Sequence, residues 1–270
     1  MLNHLEKHLQ QLAPDGIALA FSGGTDSTLL LALLSRLHQK RPFPVAALTM
    51  HTILQNDSEI DEAAALASRF GIRQKIFTFN PFSLKEVRHN RPDRCYHCKK
   101  AIFAQFGNYA KEHGLKHLLD GTNADDLNVY RPGRKALQEL GVISPLAELG
   151  ITKAKIRKIS AQLNLPTASK PAVPCLATRF PYNTLLDNET IRRVSAAEKI
   201  LQSMFPQIKD IRLRVHGRLA RIEVPGNQIA IFAAQAKSIA KSLKEYGFDF
   251  ITLDLEGFRS GCFDGGLKQN

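Results

Sequence analysis

Residues 22–27 (SGGTDS) combine glycine, hydroxyl and carboxylate groups at the spacing of a phosphate-binding loop. The adjacent Gly23 and Gly24 let the backbone turn tightly and approach a ligand, because no Cβ atom intervenes. A helix predicted directly after the loop presents unpaired N–H groups and a positive dipole end to an anion. Ser22 and Ser27 add hydroxyl donors. The segment lacks the lysine of G-x-x-x-x-G-K-[ST] and is not G-x-G-x-x-G, so it predicts a phosphate site of another type.

Cysteines form the second group of residues that could do chemistry. Two residues separate Cys95 from Cys98, among basic side chains, a spacing that in an intracellular protein indicates metal or redox chemistry. Three interpretations stay open. The pair could be half of a zinc site, although no second CxxC is present, or a thioredoxin-like redox pair. It could also join Cys175 as three thiolates around an iron–sulfur cluster, leaving one iron without a protein ligand.

Cys175 lies in a proline-rich segment at residues 166–181 that we expect to be extended and stiff. Pro174 precedes it and Arg179 follows four residues later, which indicates a fixed, electropositive setting. Cys262 lies in a glycine-rich tail, and we assign it no chemistry.

Short apolar runs alternate with amphipathic segments in the first part of the chain. We predict helices at residues 5–12, 25–38, 58–70 (N-capped by Asp57 or Ser58) and 99–113, and strands at 17–21, 45–49, 73–79 and 117–120. This alternation is typical of a parallel sheet with helices on both faces. Ligands bind at the carboxyl ends of such strands, where residues 22–27 and 121–126 (GTNADD) both fall.

The pattern changes at about Leu185. Before the proline-rich segment we predict a helix that Thr152 caps and that ends at residue 163. After the segment we predict helices at 189–204 and 229–246 and strands at 211–215, 219–224 and 248–255. This order suggests a small α+β domain with an antiparallel sheet. We therefore predict two domains, residues 1–184 with the phosphate loop and the cysteines, and residues 185–270 for substrate binding and oligomerisation.

Composition narrows the class of protein. The 270 residues are 44% hydrophobic and 23% charged, values ordinary for a globular protein. No apolar run is long enough to span a bilayer, and the first residues do not resemble a signal peptide, so we expect a cytoplasmic protein without a membrane partner. The net charge of +12 suits an anionic partner. The charge could also simply keep the protein soluble. Nucleic acid is the first anionic partner to consider, but the absence of tryptophan and the dispersed basic residues argue against it, and a phosphorylated small molecule explains the basic residues about as well.

With these motifs in hand, the chain resembles the LarE-type ATP-dependent pyridinium-carboxylate sulfur transferases, which are PP-loop ATP pyrophosphatases. The resemblance covers nearly the whole length and rests on residues 22–27, 121–126, 144–146 (SPL) with Thr152 and Lys153, 174–179 (PCLATR), 212–214 (RLR), 220–224 (ARIEV) and 255–261 (LEGFRSG). It implies an α/β fold of the adenine nucleotide alpha hydrolase-like type, with a smaller C-terminal α+β domain.

The resemblance implies a reaction and its cofactors. The family adenylates a carboxylate of a pyridinium mononucleotide with ATP and replaces an oxygen with sulfur, toward the nickel-pincer nucleotide cofactor. ATP would be bound by Ser22, Gly23, Gly24, Asp26, Ser27 and Gly121. Asp26 would help to place Mg²⁺, which offsets charge on the triphosphate.

Family members differ in their sulfur source. Some sacrifice the sulfur of a single cysteine that matches Cys175. This chain adds Cys95 and Cys98 and so resembles members in which three cysteines hold a [4Fe–4S] cluster, whose open iron carries a replaceable sulfide. The resemblance does not identify the sulfide donor that reloads it.

The remaining site residues are also implied by the resemblance. Arg212 and Arg214 would grip the substrate phosphate, for which bidentate arginine is well suited, Glu223 would orient substrate or metal, and Arg179 would contact a phosphate. Self-association would occur through the C-terminal domain and give a homo-oligomer.

Two alternative functions remain. A tRNA thiolase of the same superfamily also pairs this loop with three cysteines; the charge favours it, and the PCLATR segment and the lack of an RNA-binding appendage oppose it. A non-catalytic nucleotide-binding protein would have no use for the three cysteines.

Overall fold

The computed structural model describes residues 2–128, 131–208, 210–259 and 261–263. The chain divides into two compact units, Met1–Pro81 with Asp93–Ala172, and Phe82–Pro92 with Val173–Asn270. The second unit therefore begins before the predicted position 185 and includes a short segment from the first half of the chain. Ser260, part of the 255–261 motif, lies outside the described residues.

The helices and strands alternate through the first unit and recur in the second. The described helices are α1 (Leu2–Leu12), α2 (Thr25–Lys40), α3 (Asp57–Arg69), α4 (Lys85–Arg88), α5 (Arg94–Glu112), α6 (Gly133–Glu139), α7 (Pro145–Glu148), α8 (Lys153–Gln162), α9 (Asn188–Met204), α10 (Ile229–Ala234) and α11 (Ala236–Glu245). The strands are β1 (Ile17–Ala20), β2 (Val45–His51), β3 (Gln74–Thr78), β4 (His117–Leu119), β5 (Arg212–His216), β6 (Leu219–Glu223) and β7 (Phe250–Leu253).

The first unit is built on a four-stranded parallel sheet in the order β3-β2-β1-β4. Ile17 pairs with Val45 on one side and His117 on the other. Side chains of a strand point alternately to its two faces. Accordingly, Ile17 and Leu19 belong to one apolar core with α1, α2 and α8, and Ala18 belongs to another with α5. The predicted parallel sheet with helices on both faces is confirmed.

The second unit contains a three-stranded sheet in the order β5-β6-β7. Strands β5 and β6 are antiparallel, as their short connection requires, but β6 and β7 are parallel. The prediction of an antiparallel sheet was wrong for β7, because α10 and α11 carry the chain back to the end of the sheet at which β6 begins. The predicted helix at 229–246 is divided into these two at Gln235.

Helix boundaries differ from the predictions at two points. Helix α3 is capped by Asn56, whose backbone N–H donates to Glu59 Oε1 at 3.1 Å, and not by Asp57 or Ser58. Helix α5 begins at Arg94, five residues before the predicted start, so both cysteines of the CxxC lie in its first turns. The prediction for Thr152 was correct, since its hydroxyl accepts from Lys155 N. No helix in the described ranges is both long and apolar enough to cross a membrane.

Candidate active site

The phosphate loop joins the end of β1 to the first turn of α2. Gly23 has φ of +67°, a conformation that favours glycine, and an added Cβ would lie 3.1 Å from the Cβ of Ala63. At Gly24 the backbone is extended and an added Cβ would approach only Ser22 Oγ, at 3.3 Å. The hydroxyl oxygens of Ser22 and Ser27 lie 3.2 Å apart. Backbone and hydroxyl donors therefore converge where α2 begins, which is the arrangement that an anion requires.

Gly121 lies against this helix start. A Cβ at this position would be 3.1 Å from the backbone nitrogen of Ser27 and 3.3 Å from Asp26 Cβ. The structure thus brings together the two segments that the sequence predicted to meet at the carboxyl ends of β1 and β4. A larger residue at position 121 would crowd the first turn of α2.

Asp26 is the centre of a polar network at the same edge of the sheet. Its Oδ1 accepts from Lys153 Nζ at 2.7 Å, and its Oδ2 accepts from Asn123 Nδ2 at 3.4 Å. The backbone N–H of Lys153 donates to Asp125 Oδ2 at 2.8 Å. Lys153 was not among the predicted site residues. Its position at the start of α8, directly after the capping Thr152, was the available signal.

A second network anchors the segment that follows β4. The buried carboxylate of Asp120 accepts from Ser144 Oγ at 2.6 Å and from Thr122 N at 3.2 Å. Lys99 Nζ lies 4.0 Å from Asp120 Oδ2. Lys99 follows Cys98 directly, so this contact connects the cysteine-bearing helix with the carboxyl end of β4.

Cys95 and Cys98 lie three residues apart at the N-terminus of α5, a spacing that places two side chains on one helix face. Cys95 is exposed and Cys98 is half-buried. Gly133 of α6 packs tightly on this turn, because an added Cβ would lie 2.7 Å from Lys99 Cδ and 3.2 Å from Cys95 O. Helix N-termini favour negative charge, which suits thiolate ligands.

Cys175 belongs to the second unit, where it precedes the short 3₁₀ turn Leu176–Arg179. Its side chain is exposed, and its carbonyl oxygen accepts from Thr178 Oγ1 at 2.8 Å. Within the part of the chain that the structure describes, no three His, Cys, Asp or Glu side chains form a group that could hold a metal ion.

Arg179 is buried beside the Cys175 turn, with 1% of its surface exposed. Its guanidinium donates to both carboxylate oxygens of Glu198, at 2.8 and 3.0 Å, and to the carbonyl of Pro174 at 3.3 Å. Arg179 therefore fixes the backbone immediately before Cys175. Glu198 was not predicted from the sequence, because it lies mid-helix in α9, outside every motif.

Arg214 and Glu223 form a buried ion pair between β5 and β6. Glu223 Oε2 accepts from Arg214 Nε at 2.9 Å and Nη2 at 2.8 Å, and its Oε1 accepts from Arg221 at 3.1 Å. Arg214 Nη1 also donates to Thr178 O at 2.7 Å, which connects the pair to the turn that contains Arg179.

Arg212 lies in the same cluster. Burial lowers the pKa of its guanidinium, and the positive charge of Arg179 lowers it further. The four predicted substrate-binding residues of the second unit, Arg179, Arg212, Arg214 and Glu223, are thus close neighbours. The three guanidinium groups among them are good donors to phosphate, and each is already paired with a carboxylate. Arg179 and Arg214 also have internal partners that the sequence did not reveal.

Residues 1–127 match the model of a PP-loop domain. The chain is 37% identical over 247 residues to a pyridinium-3,5-bisthiocarboxylic acid mononucleotide synthase from Lactiplantibacillus plantarum, covering 91% of this chain and 87% of the relative. It is 36% identical over 249 residues to an uncharacterised protein from Synechocystis, covering 92% and 91%. A tRNA(Ile)-lysidine synthase from Orientia tsutsugamushi is 25% identical over 173 residues, 37% of that protein's length.

Proposed function

Because the chain belongs to the LarE-type family that includes the pyridinium-3,5-bisthiocarboxylic acid mononucleotide synthase, we propose that it is an AMP-forming sulfur transferase of nickel-pincer nucleotide biosynthesis. Its substrate is a pyridinium-carboxylic acid mononucleotide, in which it replaces a carboxylate oxygen with sulfur. The observation that carries the proposal is the PP-loop with Asp26 and Lys153 at one sheet edge, in a chain that aligns with 87% of that synthase.

Adenylation makes the substrate reactive. A carboxylate is a poor electrophile, so one of its oxygens attacks the α-phosphorus of ATP while the bond to pyrophosphate breaks. A sulfur nucleophile then adds to the acyl carbon, and AMP leaves with the bonding electron pair. The products are a thiocarboxylate, AMP and pyrophosphate.

The PP-loop residues bind the nucleotide. The N–H groups at the start of α2 and the hydroxyls of Ser22 and Ser27 donate to the β- and γ-phosphates, which approach over Gly23 and Gly24. Gly121 keeps this approach open, since any side chain there would crowd Ser27 N. Asp26 helps to place Mg²⁺, a metal that prefers carboxylate oxygen, and Lys153 holds that carboxylate in position.

Cys95, Cys98 and Cys175 are proposed to hold a [4Fe–4S] cluster. The donor set fits, because thiolates are the ligands of such clusters, and two of the thiols share a helix face at a helix N-terminus. When bound, a cluster with one open iron would supply the replaceable sulfide that the reaction consumes. The contribution of Cys175 rests on the family resemblance.

The arginine cluster of the second unit is proposed to bind the substrate's phosphate. The cluster contains the guanidinium groups of Arg179, Arg212, Arg214 and Arg221. They are paired with the buried carboxylate of Glu223 and with those of Glu198, Asp210 and Asp254. Arg212 is the proposed direct ligand. Arg179, Arg214 and Glu223 hold the site in shape through their mutual contacts.

The experiment that tests the function supplies ATP and a pyridinium dicarboxylate mononucleotide to anaerobically purified protein. Substrate-dependent pyrophosphate release and a sulfur-containing product are expected. Release of pyrophosphate with tRNA instead of the mononucleotide would assign the chain to the thiolases.

We further propose that the protein is cytoplasmic and forms a homo-oligomer. A separate sulfide donor restores the sulfide that each reaction consumes.

A further inference from the structure

The PP-loop has no lysine within its own sequence, yet it must hold a highly charged triphosphate. The structure brings Lys170 to the loop from far along the chain. Its Nζ donates to the carbonyl oxygen of Gly23 at 3.2 Å and to Glu62 Oε2 at 2.7 Å. The Lys170 side chain is 20% exposed, whereas that of Glu62 is 55% exposed.

The backbone around Lys170 is restrained by the start of α2 and by α8. Thr25 is buried, with 3% of its surface exposed, and its Oγ1 donates to Thr167 O at 2.9 Å. Arg157 Nη2 donates to Lys170 O at 3.2 Å. Since both contacts restrain the segment, the ammonium group is held beside the loop by more than its own side-chain bonds.

An ammonium group has three protons to donate, and those of Lys170 have two acceptors among the described residues. We propose that Lys170 is a nucleotide phosphate ligand that completes the PP-loop. In the absence of nucleotide, its ammonium group forms an ion pair with Glu62, and the phosphates replace Glu62 when they bind. This proposal rests on the use of the loop for ATP in the proposed function. The incoming phosphate replaces an exposed carboxylate partner, while the contact with Gly23 is retained.

If phosphate replaces Glu62 as the partner of Lys170, substitution of the two residues should have opposite effects on nucleotide affinity. Loss of the Lys170 ammonium removes a charge-assisted bond, so Lys170→Ala should weaken ATP and pyrophosphate binding about tenfold or more. Loss of the Glu62 charge removes a competitor, so Glu62→Gln should tighten binding about twofold to fivefold. A purely structural ion pair would give weaker binding in both variants.

The experiment is calorimetric titration of the full-length protein with ATP and, separately, with pyrophosphate, in the absence of a second substrate. The variants are Lys170→Ala, Lys170→Arg, Glu62→Gln and the double variant, with Lys158→Ala on the exposed face of α8 as the control. We expect partial retention of binding in Lys170→Arg, no effect of Glu62→Gln when Lys170 is already alanine, and parental affinity in Lys158→Ala. Thermal denaturation of each variant verifies folding.

Unchanged ATP affinity in Lys170→Ala, or weakened affinity in Glu62→Gln, would overturn the proposal. Because Glu62→Gln changes an exposed residue, it decides the question even if Lys170→Ala does not fold. Failure of sulfur transfer together with the expected affinities would contradict the proposed function and support the role of Lys170. Absence of ATP and pyrophosphate binding in the parent protein would contradict both.

Discussion

Lys153 Nζ and Asp26 Oδ1 lie 2.7 Å apart, although 127 positions separate the two residues in the chain. The contact joins the first turn of α2, at the end of β1, to the first turn of α8. Lys153 is held in turn by Asp125 through its backbone N–H. Three segments of the first unit are therefore connected at the position where the PP-loop presents its donors.

Asp26→Asn should abolish adenylation while the protein remains folded. The amide keeps the size of the carboxylate but loses the charge that pairs with Lys153 and helps to place Mg²⁺. We expect substrate-dependent pyrophosphate release to fall by about a hundredfold or more, the magnitude typical of lost electrostatic stabilisation. Asp61→Asn, on the exposed side of α3, is the matched control. A rate within a few-fold of the parent would remove Asp26 from the catalytic machinery.

Gly24→Val should block nucleotide phosphates without disrupting the fold. Gly24 has φ of −79° and only Ser22 Oγ near the position of a Cβ, so the backbone tolerates a side chain there. The branched side chain would occupy the approach path of the phosphate. Pyrophosphate release should be lost while the melting temperature changes little. Gly107→Ala, with no atom within 4 Å of an added Cβ, should retain activity. Normal adenylation by Gly24→Val would refute the loop assignment.

Most of the first unit could be predicted because β1 and β2 are short apolar runs and α1 and α3 are amphipathic. The short helices α6 and α7 were not predicted. Ile17 and Leu19 face one core and Ala18 the other, as strand periodicity requires. The direction of β7 could not be predicted, because it depends on the path of α10 and α11 rather than on the strand's own residues. The start of α5 at Arg94 was missed although Asp93, directly before it, is of a residue type favoured at the N-cap, because Arg94, Cys95 and Tyr96 show no apolar period.

The site was predictable where its residues form a contiguous motif. The loop and Gly121 were predicted to meet, and they do. Lys170 and Glu198 reach their partners through tertiary contacts, which no local pattern encodes. Lys153 belongs to a motif, but its contact with Asp26 was not predicted. The burial of the arginines could not be predicted from the motifs either. Arg179 and Arg214 were expected as ligands from the family resemblance, and their pairing with Glu198 and Glu223 is seen only in the structure.

Asp187→Asn should destabilise the second unit in a pH-dependent manner. The backbone N–H of Thr190 donates to Asp187 Oδ1 at 2.7 Å and lowers the pKa of that carboxyl below its ordinary 3.8. A carboxyl with a lowered folded pKa binds fewer protons when folded. Its stabilisation is therefore present above pH 3.8 and lost as the pH falls through the folded pKa.

Because asparagine also caps helices well, the substitution removes only the interaction of the charge with the helix N-terminus, which should contribute about 0.3–1 kcal/mol to the free energy of unfolding at neutral pH. Denaturant titration of the parent and Asp187→Asn at neutral and acidic pH checks this. The difference between the two proteins should shrink as the parent's carboxyl is protonated. An equal difference at both pH values would show that charge at this cap is irrelevant.

Cys262 should react with iodoacetamide more slowly than Cys95 and Cys175 in metal-free protein. Burial raises the pKa of the Cys262 thiol, so less thiolate is present at neutral pH. Cys95 and Cys175 are exposed. Mass spectrometry of peptides after timed alkylation gives the rates, and protein unfolded in guanidinium is the control in which the difference should vanish. Fastest modification of Cys262 in the folded protein would contradict its burial.

Alanine at Cys95, Cys98 or Cys175 should abolish repeated sulfur transfer and leave ATP-dependent adenylation largely intact. The cysteines are proposed to serve the sulfur step, whereas the PP-loop serves the first step. Cys262→Ala is the matched control and should affect neither. A different result would indicate a sacrificial cysteine in place of a cluster. In that case each protein molecule would transfer sulfur only once, and the transfer would require Cys175 but not Cys95 or Cys98.

The most direct measurement counts thiocarboxylate product and AMP per protein molecule, after anaerobic reconstitution with iron and sulfide and with excess ATP, pyridinium mononucleotide and sulfide. We predict several products per protein, AMP formed in at least equal amount, and iron and sulfide retained by the parent but lost from each of the three cysteine variants. AMP without any sulfur-containing product, or product formed equally well by all three variants, would contradict the account.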